Sequence, residues 1–193
     1  MEDITKNQAY TFENVWAALL ETRANNEEAH RRMDEALTRL EKTVANTSKI
    51  VGGLGNLQGR LTEAMFEAEL CKKFYDIGFS FDKQSSRYKF RENGQTLAEA
   101  DFFLENGEYA MPVEIKTELS VSDIDEHIER IAIIRGCMNV RGDRRKLAGA
   151  VAGEIVAENV LNYAHKKGLY VLTQNGDCVA IADAPHNFKR QEW

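Results

Sequence analysis

The chain has 193 residues, 43% of them apolar and 29% charged, and its 31 Asp and Glu outnumber its 25 Lys and Arg for a net charge of -6. That length suits one ordinary domain plus an extension, and the acidic balance argues against indiscriminate coating of nucleic acid while leaving room for a local basic groove. No run of 18 apolar residues suggests a membrane span. The first residues, Met1 to Lys6, lack the basic-then-apolar layout of a signal peptide, and Cys71, Cys137 and Cys178 are too scattered for a metal ligand set, so they read as reduced packing thiols of a cytoplasmic protein.

Residues 11 to 51 hold no Pro or Gly and are rich in Glu, Arg, Ala and Leu. Trp16, Leu37, Val44 and Val51 form one heptad series and Phe12, Leu19, Met33, Leu40 and Leu54 the other, interrupted by Arg23, Asn26 and His30. One helix of this length would run roughly 60 Å, longer than a small domain is wide. Its apolar stripe therefore predicts a coiled coil, most simply a homodimer, with the polar middle layer fixing register. A hairpin of two shorter helices breaking near Asn25-Asn26 is the rival. Gly52-Gly53-Leu54-Gly55 is expected to stop the helix. The chain is thus read as a helical coiled-coil segment over 1–52 and a second domain over 53–193.

A second amphipathic helix is expected from about Leu57 to Ile77, closed by Gly78. Phe79 to Phe90 reads as a strand or two short strands, polar and irregular around Gln84-Ser85-Ser86, with a turn at Asn93-Gly94. The stretch from Glu99 to Lys116 reads as a hairpin turning at Asn106-Gly107. A helix from Asp123 to Cys137 follows, then a cationic stretch from Arg141 to Lys146 and a small-residue run, Leu147 to Gly153, that suits a buried strand. Residues 154 to 167 are expected to be helical up to Gly168. A hairpin from Leu169 to Ala182 turns at Asn175-Gly176, and a polar tail crosses the surface to Trp193. No repeat is evident at a period of 20 to 50 residues. Strands interleaved with helices predict an α/β fold: a mixed sheet flanked by helices, preceded by the long helix.

The Glu99–Lys116 hairpin carries the chemistry. Alternation puts Glu114 and Lys116 on one face and Val113 and Ile115 on the other. Asp101 and Glu114 on adjacent strands could hold a Mg²⁺ or Mn²⁺ ion, with the Ile115 backbone carbonyl as a third ligand. Lys116 could orient or deprotonate a water, or stabilise phosphoryl charge. A two-residue turn at Asn106-Gly107 would set Asp101 opposite Pro112, which has no N–H for a ladder. A bulge or a slipped register is therefore expected, and Glu99 stays a competing ligand.

Gly59-Arg-Leu-Thr-Glu63 on a helix, Asp101 on a strand, and Val113-Glu-Ile-Lys-Thr117 one strand later together resemble the PD-(D/E)XK nuclease superfamily. The resemblance covers about residues 53 to 182, and is greatest to prokaryotic members in which a coiled coil precedes the nuclease-like domain. It implies a restriction-endonuclease-like sheet and metal-dependent cleavage of nucleic acid, DNA first. It also implies metal ligation by Asp101 and Glu114, support from Glu63, and action of Lys116 on the attacking water. Ala100 stands where the superfamily's name has Pro. Glu126, His127 and Arg130 are candidates for a further polar site residue on the following helix, with His127 read as structural. Arg130, Arg135, Arg141, Arg144, Arg145 and Lys146 are candidates for phosphate contacts. The alternative function is a catalytically silent nuclease fold that binds nucleic acid or a protein partner through its coiled coil.

Overall fold

The computed structural model describes residues 11–175 and 178–193. The reading of Met1 to Lys6 and the turn expected at Asn175-Gly176 therefore fall, wholly or in part, outside the described residues. The chain divides into two compact units, Met1–Leu54 and Gly55–Trp193.

The described part of the first unit is helix. Helix α1 spans Phe12–Glu67, so it passes both the Asn25-Asn26 pair and the expected stop at Gly52-Gly53-Leu54-Gly55. Glycine ends a helix by taking a left-handed conformation, and Gly52, Gly53 and Gly55 do not adopt one. Each costs the helix about 1 kcal/mol relative to Ala, but a helix already nucleated keeps gaining a hydrogen bond per added residue. The heptad residues of the first unit lie open: Leu37, Leu40 and Val44 are 50%, 58% and 57% exposed. A stacked pair, Phe12 and Trp16 with ring centroids 6.2 Å apart, starts the row.

In the second unit the helix expected from Leu57 to Ile77 is broken. Glu69 N–H bonds the Phe66 carbonyl, a tightened turn that separates α1 from α2 (Leu70–Asp76). This lets Phe66, Leu70 and Phe74 all be fully buried. Gly78 closes α2 as expected, at φ +96, with its N–H on Tyr75 O and Phe79 N–H on Phe74 O. That double bond is the Schellman arrangement.

Then follow β1 (Lys83–Glu92), β2 (Gln95–Glu105), β3 (Tyr109–Leu119), α3 (Val121–Val140), β4 (Lys146–Leu147), β5 (Ala150–Val156), α4 (Glu158–Lys166), β6 (Tyr170–Asn175) and β7 (Cys178–Ile181). The strands make one mixed seven-stranded sheet in the order β1-β2-β3-β5-β6-β7, with β4 beside β3. The β1/β2, β2/β3 and β6/β7 pairs are antiparallel; β3/β5 and β5/β6 are parallel, joined by α3 and α4. The helix expected from residue 154 begins only at Glu158, because Ile155 and Val156 continue β5 against Glu118 and Leu119.

Helices cover both faces. Ile124, Ile131, Ile134 and Met138 of α3 and Val160 of α4 pack with Phe103, Val151 and Val171 on one face. Phe66, Leu70 and Phe74 pack with Phe102, Leu104, Met111, Val113 and Ile115 on the other. The tail does more than cross the surface, for Trp193 N–H bonds Leu147 O and its ring joins the α3-side core.

The two Asn-Gly pairs behave differently. Asn93 and Gly94 both take positive φ, +49 and +81, and close β1/β2 as a two-residue turn with Glu92 opposite Gln95. Asn106 instead uses its side chain: Oδ1 accepts from the N–H groups of Glu108 and Tyr109, and Nδ2 donates to Ser80 O. The bend therefore falls one residue later, with Glu105 opposite Ala110 and Phe103 opposite Pro112. Pro112 fits because parallel pairing resumes only at Val113–Ala150, after β4 has ended at Leu147. It lies beside the break at Ala148-Gly149, where no ladder N–H is required.

Candidate active site

Continuing the β2/β3 register one step beyond the Phe102–Val113 pair sets Asp101 opposite Glu114. The ladder itself ends at Phe102–Val113, and a side chain takes over: Ile115 N–H donates to Asp101 Oδ2 at 2.8 Å. Because the N–H and C=O of one strand residue leave on the same side, the Ile115 carbonyl faces that opened edge too. Val113 and Ile115 are buried on the α1/α2 side, while Glu114 reaches Arg130 of α3. The alternation read from the sequence is thus realised.

Glu114 is 4% exposed. Lys116 Nζ lies 2.8 Å from its Oε1, and Arg130 Nη1 bonds its Oε2. Asp101 is half-buried, and its carboxyl is pushed up to about 6, first by burial and then by the Glu114 charge, against the Ile115 hydrogen bond and Lys116. Burial pulls the Lys116 ammonium down, but its hydrogen bond to Glu114 and the charges of Glu114, Asp101 and Asp123 outweigh that and raise it. Lys116 is therefore held as a cation, suited to orienting a water or meeting negative charge rather than to accepting a proton.

Glu63 lies near enough to add to the charge on Asp101. Its carboxylate takes the guanidinium of Arg87 at 3.2 Å, and the neighbouring Thr62 hydroxyl donates to Glu154 at 3.2 Å. Arg87 could not be singled out from the sequence, where it is one cation in a polar strand. Glu99 pairs with Lys89 of β1 at 3.3 Å, directly across the ladder. Beside it a cavity of about 370 Å³ is lined by Glu99, Glu126, Glu129, Arg130 and Ile133.

His127 is fully buried beneath this cluster, as a structural histidine should be. Neither ring nitrogen has a well-formed hydrogen bond, although the backbone at Pro112 and Ala150 lies near enough to favour its proton. Burial outweighs this and the attraction of Glu114, holding the ring down to about 4 and so neutral.

Of the six basic candidates for phosphate contact, Arg130 alone forms an ion pair with the Asp101–Glu114 pair, through Glu114. Arg135 donates to the carbonyls of Asp143 and Arg145 at 2.6 and 2.7 Å, tying down the loop after α3. Arg145 bridges Asp143 and the buried Glu105, and Lys146 pairs with Glu108. Arg141 lies over the Phe90 ring, and Arg144 is exposed on the same loop. Lys146 pairs with Tyr109 at the start of β3, five residues before Glu114. At the rise of a strand that places it about 17 Å from the acids.

Two carboxylates and the Ile115 backbone carbonyl form an all-oxygen donor set of the kind a hard divalent cation takes. The repulsion that raises Asp101 is what such a charge would relieve. Both Glu114 oxygens are already engaged by cations, however, and among the described residues no group of three or more His, Cys, Asp and Glu is arranged to hold a metal. The residues fit the ion in donor type, with Glu114 needing to release a partner.

The class this fold defines is a mixed α/β protein with a seven-stranded sheet and a long N-terminal helix. No family model matches the sequence, and no curated protein does. Among solved structures, the chain is similar to the small subunit of the heterodimeric restriction endonuclease R.BspD6I, at 16% identity and a TM-score of 0.31 over 56% of this chain. The match spans 61% of that subunit's length. Among the described residues no helix is long and apolar enough to cross a membrane.

Proposed function

We propose that this protein is a metal-dependent nuclease of the PD-(D/E)XK type, acting on DNA in the cytoplasm. The observation that carries the reading is the juxtaposition of Asp101 and Glu114 across β2 and β3 with Lys116 2.8 Å from Glu114. Asp101, Glu114 and the Ile115 carbonyl would hold Mg²⁺ or Mn²⁺, with Glu63 in support. When bound, that ion polarises a phosphoryl oxygen and lowers the pKa of a water. Lys116, kept cationic by its acidic neighbours, orients the attacking water and meets charge on the phosphoryl group. Arg130 fixes the Glu114 carboxylate from α3. Residues 53–193 form the nuclease-like domain, and residues 1–52 associate it as a coiled-coil homodimer, which would cover the open row of Leu37, Leu40 and Val44. Two sites per dimer could cut both strands of a duplex.

The test is cleavage of plasmid and single-stranded DNA by the full chain with Mg²⁺ or Mn²⁺. Activity abolished by EDTA and by Lys116→Ala is expected; equal background in wild type and variant would end the catalytic reading. One observation favours a second reading, a silent nuclease fold that binds a nucleic acid or protein partner: both Glu114 oxygens are held by Lys116 and Arg130. It expects binding that is insensitive to metal and to Asp101→Ala.

A further inference from the structure

Among the described residues two non-glycine residues have positive φ, Arg87 at +48 and Asn93 at +49. Asn93 is explained by the hairpin turn it makes with Gly94. Arg87 is in the body of β1, where no turn asks for that conformation. Its neighbours pair normally, Ser86 with Phe102 and Tyr88 with Ala100, so Arg87 falls opposite Asp101. Across three strands the register therefore aligns Arg87, Asp101 and Glu114.

The backbone is irregular at the same place. Ala98 and Phe103 both pack into the α3-side core although they lie five positions apart, an odd offset, while Phe102 and Leu104 pack into the opposite core. The alternation of β2 is thus broken between Ala98 and Phe102, the span that faces Arg87. Left-handed backbone is costly for a side chain like arginine. What Arg87 receives within the protein is an ion pair with Glu63 at 3.2 Å in which its own side chain stays 62% exposed, and an exposed pair offsets little of that cost. A glycine here would give the same bend at less expense, which leaves the arginine side chain itself to be accounted for.

We propose that Arg87 is a substrate-binding residue of the Asp101–Glu114 site: its guanidinium takes the oxygens of a backbone phosphate of a nucleic-acid strand that crosses β1, β2 and β3 at the level of Arg87, Asp101 and Glu114. Guanidinium and phosphate match as a two-pronged pair. Glu63 parks and aims the side chain in the free protein and gives it up when the phosphate arrives. The inference rests on the nuclease reading for its ligand but not on catalysis.

The experiment measures binding of a fluorescein-labelled 30-base-pair DNA duplex to the full chain in Ca²⁺ and in EDTA over a range of salt, together with the melting temperature and, in Mg²⁺, cleavage. Arg87→Gly is expected to melt higher than wild type, to bind the duplex about tenfold more weakly, and to lower the slope of log affinity against log salt by about one, the signature of one lost phosphate contact. Arg87→Lys, which keeps the charge without the fork, should recover the salt slope and only part of the affinity. If Arg87→Gly binds with wild-type affinity and salt slope while Lys116→Ala still abolishes cleavage, Arg87 has no such role and the nuclease reading stands. If wild type binds and does not cleave, yet Arg87→Gly weakens binding as stated, catalysis fails and the phosphate contact holds. A wild type that does not bind the duplex overturns the contact.

Discussion

The two units answer their side chains in opposite ways. In the helical unit the apolar row of Leu37, Leu40 and Val44 is exposed while charged neighbours satisfy one another along the surface, as Arg31 does with Glu28 and Glu35. In the sheet unit the apolar residues fill two cores, and it is acids that are drawn inward, Glu114 beneath α3 and Asp101 half-buried beside it. What is left unanswered in each unit points outside the chain: apolar surface in the first, concentrated negative charge in the second. On the proposed function, another helix would cover the first, and a cation and a phosphate would meet at the second.

If that contrast holds, the units should fail separately. The largest effect belongs to the sheet unit: Lys116→Ala should lower cleavage by about 10²–10³-fold or more, the scale of losing one electrostatic contact to the reacting group, while leaving the oligomeric state unchanged. Conversely, Leu37→Asp with Leu40→Asp buries charge in the proposed seam, and light scattering should then report a monomer with its sheet unit still folded. A dimer that survives this double substitution would remove the seam from the first unit.

A smaller effect is a stability change with a definite sign in pH. The Asp101 carboxyl is raised from 3.8 to about 6 by burial and Glu114, so the fold prefers it protonated. That contribution is complete below pH 3.8 and is lost as pH rises through about 6, leaving the ionised group a burden at pH 8. Asp101→Asn should therefore stabilise the protein at pH 8 by on the order of 2 kcal/mol, with the gain vanishing below about pH 4. Saturating Mg²⁺ should stabilise wild type more than Asp101→Asn, since a ligand of the native state adds stability only where it binds. His127 works the other way: held down to about 4 by burial, it contributes stability above pH 6.5 that is lost as pH falls through 4. The smallest effect is in the helix. A Cβ at Gly53 would meet nothing within 4 Å, so Gly53→Ala should raise the melting temperature of the helical unit by the equivalent of about 0.5–1 kcal/mol. No change there would mean the glycine serves the helix's partner rather than interrupting the helix.

Much of the sheet unit was legible because hydrophobic alternation and turn residues are local signals. The faces of Val113, Glu114, Ile115 and Lys116 followed from period two alone, and Gly78 marked a helix end it does form. The misreadings arose where a tertiary interaction outbid a local one. At Asn106 the slipped register that Pro112 led one to expect does occur, and its cause is tertiary: the Asn106 side chain caps Glu108 and Tyr109 and bonds Ser80, which aligns Asp101 with Glu114. Gly52-Gly53-Leu54-Gly55 resembled a stop, but no left-handed turn forms there and α1 continues. Among the basic candidates, Arg135, Arg145 and Lys146 spend their charges on the loop after α3, on Glu105 and on Glu108, partners that sequence spacing does not name. Arg87 carried no signal at all, since a left-handed backbone angle leaves no trace in a single sequence.

The central claim is that Asp101, Glu114 and Lys116 act together on a phosphodiester, and the most direct measurement is nicking of supercoiled plasmid by the full chain in Mg²⁺ beside Lys116→Ala and an EDTA control. The expected result is conversion by wild type alone, abolished by chelation and restored by Mg²⁺ or Mn²⁺. Wild type and Lys116→Ala nicking at the same rate, or activity that persists in EDTA, would contradict it.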